Sequence, residues 1–181
     1  ETLEGERLVA ATPKTVAQLK KLGYDVAVEH GAGMAANFAD EVYVSAGAYI
    51  VNAQTAWGSD IVTTVDTPTN AQIAQLKSGA MLVSRLAPHT NHEGIERLAK
   101  QGVTALALDA VPRISRAQSL DVLSTMSNVS GYRAVIEAAE EFGGMFTGQV
   151  TAAGKTSPAR VFVIGGGVAG LSAIGAAASL G

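Results

Sequence analysis

The strongest constraint on the fold comes from the last twenty-one residues, where an apolar run leads directly into a cluster of glycines. Residues 161–164 (VFVI) have the β-branched character of a buried strand, and the pattern Gly165-x-Gly167-x-x-Gly170 follows them. In a strand–turn–helix unit the first glycine permits a tight turn, the second lets the backbone approach a pyrophosphate, and the third lets helix and strand pack closely. The helix start adds free N–H groups and partial positive charge. The pattern predicts the first βα unit of a dinucleotide-binding domain.

The same segment has a second interpretation, as a membrane-spanning helix. Residues 161–181 carry no charge and are long enough to cross a bilayer, and Gly166-x-x-x-Gly170 is a spacing found where membrane helices pair. Three consecutive glycines favour a turn instead, because each one in a helix interior costs about 1 kcal/mol. No Trp or Tyr belt and no Lys or Arg cluster flanks the segment. We therefore expect a turn and no membrane span.

Composition narrows the class of protein. Of the 181 residues, 48% are hydrophobic and 16% are charged, which favours a buried core. The net charge of −3 disfavours nucleic-acid binding. The absence of cysteine excludes disulfides, thiol catalysis and Cys-ligated metal sites. His89 and His92 have helical spacing for two metal ligands, but no third ligand lies near them in sequence, so we expect no metal site. The polar opening at Glu1 does not resemble a secretory signal.

Strand-like and helix-like segments alternate through the first part of the chain. Strands are predicted at residues 24–28, 48–51, 60–65, 80–86 and 103–108, and helices at residues 13–23, 40–46, 69–77 and 90–101. The inner faces of the last two helices carry Ile73, Leu76, Ile95 and Leu98. This alternation predicts an α/β fold, with a mostly parallel Rossmann-like sheet and helices on both faces.

A long helical stretch is predicted from Ser115 to Gly143, with Ser115 and Gln118 as a capping box and Gly131 as a weak point in its middle. Residues 150–158 are a candidate hinge. We expect three parts: a first, incomplete Rossmann-like lobe at residues 1–127, a connector helix and hinge at 128–158, and the truncated start of a dinucleotide-binding Rossmann lobe at 159–181.

The loop after the strand at residues 103–108 concentrates polar side chains that can bind a ligand. It holds Arg113, Arg116, Gln118 and Asp121 within a few residues of one another. Arginine can neutralise a pyrophosphate or hold a carboxamide, while glutamine and aspartate offer acceptors for amide and ribose groups. The alternative is a solvated helix start in which Asp121 pairs with an arginine, and residue types alone leave both interpretations open.

Three stretches resemble the NAD(H)-binding domain of the alpha subunit of proton-translocating NAD(P) transhydrogenase, a family that shares a superfamily with alanine dehydrogenase. They are ERLVAATPKTV, VPRISRAQSLDVLSTMSNVSGYRAVIEAA and TGQVTAAGKTSPARVFVIGGGVAGL, and together they extend the resemblance over essentially the whole chain. The resemblance implies two Rossmann-like lobes with NAD(H) in the cleft between them.

The resemblance also implies roles for individual residues. Arg113 contacts the nicotinamide side, Gln118 orients the two nicotinamides, and Asp121 and Ser124 hold the carboxamide and ribose region. Arg113, Gln118 and Asp121 are thus the implied catalytic residues. The implied cofactor contacts are Arg113, Gln118, Asp121, Ser124, Gly165, Gly167, Val168, Ala169 and Gly170. Hydride passes directly between nicotinamide rings, so the protein supplies alignment and excludes water.

The implied partners are a membrane domain that moves protons and a domain or beta subunit that binds NADP(H). A homodimer is implied as well. The implied location is peripheral, on the cytoplasmic face of the bacterial inner membrane, or on the matrix side in a mitochondrion.

Alanine dehydrogenase is the close alternative. That family resembles this chain but uses a lysine after one strand and a histidine after the next, where this chain has Thr64 and Arg85. Arg7 is shared and does not distinguish the two. A third possibility is a non-catalytic fragment, since the family's first strand precedes Glu1 and further elements follow Gly181. We expect unpaired sheet edges, an exposed apolar helix and weak or no NAD(H) binding by these 181 residues alone.

Overall fold

The computed structural model describes Glu1 and residues 3–181, which divide into two compact units, Glu1–Pro112 and Arg113–Gly181. The helices of the first unit are α1 Pro13–Lys21, α2 Asp40–Ser45, α3 Ala53–Trp57, α4 Asn70–Ile73 and α5 His92–Lys100. Its strands are β1 Ala27–Glu29, β2 Tyr49–Val51, β3 Ile61–Thr63, β4 Met81–Ser84 and β5 Thr104–Ala107. Short 3₁₀ helices lie at Met34–Ala36 and Leu108–Ala110. The predicted alternation is confirmed, with α3 as an additional helix.

Every strand pair in the first unit is parallel, as predicted, but the strands form two sheets. β1 pairs with β2, and β3, β4 and β5 pair in that order. A cavity of about 1140 Å³ is lined by residues of both β1 and β3. Within the described part of the chain, neither of these two strands has a partner on that side. The backbone N–H and C=O groups there offer a row of unused hydrogen bonds.

Two apolar clusters hold the first unit together. The larger one contains Trp57, Val62, Ile73, Leu76, Leu82, Leu86 and Leu98, with Ile95 packed against it. Ile73 of α4 and Ile95 and Leu98 of α5 therefore do face the core. The predicted helix at 69–77 ends at Ile73, so Leu76 is buried in the segment that follows α4. The smaller cluster contains Val16, Tyr43 and Ala48. Val62 of β3 and Leu82 of β4 belong to the larger cluster, which therefore packs against the three-stranded sheet.

The second unit begins with a 3₁₀ helix, Ser115–Leu120, and a separate helix α6, Val122–Glu141. The prediction of one helix starting at Ser115 with a Ser115/Gln118 capping box is therefore wrong. The 3₁₀ helix has no side-chain cap, whereas Asp121 caps α6 by accepting a hydrogen bond from the Ser124 N–H at 2.9 Å. Gly131 does not interrupt α6.

Residues 150–158 contain a β-hairpin. β6 Gln149–Thr151 pairs antiparallel with β7 Gly154–Thr156. Helix α7 Val168–Ser179 then follows the glycine cluster. The expected domain boundaries after residues 127 and 158 stay predictions.

The apolar run before the glycine cluster is extended but is not a buried strand. Phe162 and Ile164 are each 89% exposed, and residues 161–164 pair with no strand in the described part of the chain. The prediction of burial is wrong because burial of a strand requires neighbouring strands, which the local sequence does not specify. Leu171 and Ile174 on α7 are exposed as well. Among the described residues, no helix combines the length and apolarity needed to cross a bilayer.

Candidate functional site

The glycine cluster forms the tight turn that its spacing predicts. Gly165 has φ +101°, a left-handed conformation that favours glycine. A Cβ on Gly170 would overlap the carbonyl oxygen of Gly165 and lie 2.9 Å from its carbonyl carbon. The third glycine thus allows α7 to begin directly against the turn.

The start of α7 is open to a ligand. Gly167 is its N-cap residue and provides no side-chain cap, so the first-turn N–H groups have no acceptor from within the helix. A Cβ built on Gly167 would meet no protein atom within 4 Å. The open backbone, the free donors and the positive end of the helix dipole suit a diphosphate.

A groove of about 300 Å³ lies at this turn, entirely within the second unit. Its walls come from the residues ahead of α6, the first turns of α6, and the turn into α7. The lining residues are Arg113, Ser124, Ser127, Ile164, Gly165, Gly167, Val168, Ala169 and Gly170. The groove therefore combines a guanidinium group, two hydroxyls and the amide-rich start of a helix.

Asp121 acts on this groove through Ser124. Its carboxylate accepts hydrogen bonds from the Ser124 N–H at 2.9 Å and from the Ser124 hydroxyl at 2.7 Å. The hydroxyl of Ser124, its N–H and the positive charge of Arg113 all lower the pKa of Asp121. The ionised carboxylate thus fixes the rotamer of Ser124 and the start of α6 together.

Acidification is expected to loosen the first turn of α6. Because the pKa of Asp121 is lowered in the folded state, its cap is fully formed above the ordinary aspartate pKa of about 3.9 and is lost as pH falls through the lowered value. Hydrogen-exchange protection at the Ser124 amide, corrected for intrinsic rates, measures this in the full-length protein. Asp121→Asn should remove the pH dependence, and an unchanged acid profile in that variant would contradict the assignment.

The structure brings most of the predicted site residues together. Seven of the nine line the groove: Arg113, Ser124, Gly165, Gly167, Val168, Ala169 and Gly170. Asp121 does not line it but holds Ser124. Gln118 is exposed on the 3₁₀ helix Ser115–Leu120, outside the groove.

Sequence reasoning missed Ser127 and Ile164, which also line the groove. Ser127 lies three residues after Ser124 and so shares a face of α6 with it. That helical spacing was visible in the sequence once α6 was assigned. Ile164 was assigned to a buried strand, so the sequence did not suggest it as a residue that lines the groove.

Thr64 and Arg85 lie at the strand ends of the first unit, where the resemblance to alanine dehydrogenases implies a lysine and a histidine. Thr64 is buried and donates to the Glu1 carboxylate at 2.8 Å, and the Val65 N–H donates to the same group at 2.9 Å. Arg85 donates to Asp66 at 2.8 Å and to the Val65 carbonyl at 3.2 Å. Both positions are therefore occupied by contacts within the chain.

Family models match nearly the whole chain. Residues 1–130 match the N-terminal domain of the family described as alanine dehydrogenase/PNT, and residues 134–181 match its C-terminal domain. The chain belongs to the alanine dehydrogenase/PNT family. The resemblance found in the sequence and the α/β Rossmann-like fold are thereby confirmed.

Within the family, the similarity to transhydrogenases is the stronger. NAD(P) transhydrogenase subunit alpha of Haemophilus influenzae is 60% identical over 181 residues, which are 100% of this chain and 35% of that protein. The crystal structure of transhydrogenase from Sinorhizobium meliloti has a TM-score of 0.95 and 42% identity, covering 100% of this chain and 55% of that one. Alanine dehydrogenase 1 of Staphylococcus aureus is 31% identical, over 99% of this chain and 49% of that protein. The chain thus spans about a third of the Haemophilus protein.

Proposed function

We propose that this chain contributes the NAD(H) site of a proton-translocating NAD(P) transhydrogenase. The observation that carries the proposal is the groove in which Arg113 and Ser124 face the glycine turn and the uncapped start of α7. The similarity to transhydrogenase subunits alpha supports the assignment of the cofactor.

The proposed orientation of the dinucleotide follows the residue roles that the family resemblance implies, and the donors in the groove are compatible with it. The N–H groups at the start of α7 bind the diphosphate beside Gly165, Gly167 and Gly170. Arg113 contacts the nicotinamide end. The Ser124 hydroxyl, whose proton is donated to Asp121, accepts hydrogen bonds from the carboxamide or ribose. These roles place the nicotinamide ring beside the first turn of α6.

Gln118 has a different role, because it is exposed and lies outside the groove. Its amide is available to a second nicotinamide ring, brought by the partner that carries NADP(H). The cofactor supplies the hydride, and the protein residues align the two rings and exclude water. No proton transfer to or from a side chain of this chain is required.

The remaining machinery lies on partners. We propose a membrane domain that couples hydride transfer to proton movement and a domain or beta subunit that binds NADP(H). In this arrangement the chain is a peripheral part of a homodimer, at the cytoplasmic face of the bacterial inner membrane or its mitochondrial equivalent.

The decisive assay for the reaction uses the full-length protein with its partner subunits. We expect hydride transfer from NADH to an NADP analogue and no reductive amination of pyruvate, because Thr64 and Arg85 stand where a lysine and a histidine would be needed. Pyruvate amination without transhydrogenation would overturn the proposal in favour of an alanine dehydrogenase.

Residues 1–181 alone are expected to bind NADH with a Kd above about 1 mM, a binding free energy weaker than about −4 kcal/mol. The physical reason is that residues 161–164 pair with no strand in the described part of the chain, so the turn beside the groove lacks sheet support. Fluorescence titration with NADH measures this, with the full-length protein as the positive control. Saturable micromolar binding by residues 1–181 would contradict the expectation.

A further inference from the structure

Gly131 lies in the middle of α6 at its closest approach to α7. It is one of two buried residues of α6, together with Val135. A Cβ built on Gly131 would overlap the carbonyl oxygen of Ala169 and lie 2.7 Å from its carbonyl carbon and 2.9 Å from its Cα. Real Cβ atoms keep at least about 3.0 Å from such neighbours. The backbones of the two helices are therefore in direct contact at this point.

A hydrogen bond fixes the same crossing one turn away. The Ser172 hydroxyl on α7 donates to the Asn128 carbonyl on α6 at 2.7 Å. Asn128 lies three residues before Gly131, and Ser172 lies three residues after Ala169, so the two contacts are adjacent on both helices. The crossing is thus defined by backbone contact and by one polar bond.

The face of α6 that meets α7 is also the face that lines the groove. Ser127 and Ser124 lie four and seven residues before Gly131, which places all three along one stripe of the helix. On the other side, Ala169 both contacts Gly131 and lines the groove. The separation of α6 and α7 therefore sets the distance from the serine hydroxyls to the amide-rich start of α7.

We propose that Gly131 is a positioning residue for the cofactor, one that sets the width of the groove without lining it. Any side chain there pushes α7 away from α6, and the obstacle is backbone, so no rotamer change relieves it. Displacing one wall of a site by about 1 Å can cost about a hundredfold in function. This inference rests on the proposed NAD(H) site.

The test compares two glycine-to-alanine changes in the full-length protein with its partner subunits. Gly131→Ala should raise the Kd for NADH by about tenfold or more, since a misplaced wall weakens several contacts at once. Gly175→Ala is the matched control, because Gly175 lies on α7 with no protein atom within 4 Å of a built Cβ. Its Kd should equal that of the wild type.

Further measurements separate positioning from a general loss of structure. The Kd for ADP, which carries the adenosine and the diphosphate but no nicotinamide, should rise with that for NADH, whereas the Kd for NADPH on the partner should not change. Measurements well below the unfolding midpoint exclude melting as the cause. Ala169→Gly should not rescue Gly131→Ala, because the clash is with the Ala169 backbone.

Each outcome has a definite meaning. If the wild type fails to bind NADH, the proposed function falls, and the role of Gly131 falls with it. If the wild type binds NADH and Gly131→Ala binds it equally well, only the role of Gly131 is overturned.

Should Gly131→Ala fail to fold, Ser172→Ala loosens the same crossing without overlap. It should raise the NADH Kd by about threefold, the cost of one hydrogen bond, and an unchanged Kd would overturn the inference.

Discussion

Replacing Gly170 by alanine is expected to abolish useful NADH binding by the full-length protein, with a rise in Kd of at least about a hundredfold. The added Cβ would overlap the Gly165 carbonyl oxygen and would contact the Val163 side chain at 3.5 Å. Because the first obstacle is backbone, either the turn opens or α7 shifts along its axis. In both cases the donors at the helix start leave the position that a diphosphate needs. Isothermal titration calorimetry with NADH measures the loss.

Gly166→Ala is the control for this change. Gly166 is in the same turn, but no protein atom lies within 4 Å of a Cβ built there, and its φ is outside the left-handed region. Both variants should bind NADPH on the partner domain as the wild type does, which shows that the assembly is intact. If Gly170→Ala bound NADH within about threefold of the wild type, a difference of about 0.7 kcal/mol, the close helix–turn contact would not matter for the site.

Replacing Arg113 by alanine is expected to lower kcat/KM for NADH by about a hundredfold, equivalent to about 2.7 kcal/mol and typical of a lost hydrogen bond to a charged group. Arg113 lines the groove, and its charge lowers the pKa of Asp121. The variant therefore loses a direct cofactor contact and also weakens the cap that holds Ser124. Arg113→Lys should recover only part of the activity, because lysine lacks the planar pair of donors. Steady-state transhydrogenation at varied NADH measures both effects.

Arg116→Ala is the matched control for Arg113→Ala. Arg116 lies on the adjoining 3₁₀ helix Ser115–Leu120, is exposed and does not line the groove. Arg116→Ala changes the net charge by the same amount as Arg113→Ala. The comparison therefore separates the effect of the position of the side chain from the effect of its charge. Equal losses in the two variants would mean that the loop acts through its overall positive potential, and that the specific contact assigned to Arg113 is wrong.

The fold class followed from patterns that are local in sequence. Alternating apolar segments predicted parallel strands and covering helices, and the core positions of Ile73, Leu76 and Leu98 agree with that prediction. The prediction of the helix start failed because the residues there are compatible with two different local structures. Ser115 and Gln118 matched a capping box, but Asp121 caps α6 instead, since its carboxylate reaches two donors of Ser124 at once.

The candidate site was predicted more completely for its turn than for its walls. The glycine spacing specifies a backbone path, and Gly165 and Gly170 show the steric reasons for it. The contribution of Ser127 depended on which face of α6 meets the turn into α7. Gly131 was interpreted as a weakness of the helix, whereas its lack of a side chain allows the contact with Ala169.

Short-range information was therefore sufficient for most helices and strands of the first unit, for the glycine turn and for the anion-binding start of α7, because these depend on φ/ψ preferences and hydrogen bonds among near neighbours. The pairing of α6 with α7, the inclusion of Ser127 in the groove and the exposure of Phe162 and Ile164 were decided only in three dimensions. Each depends on which distant segments meet, and helical or strand periodicity shows that a face is apolar without showing what will cover it.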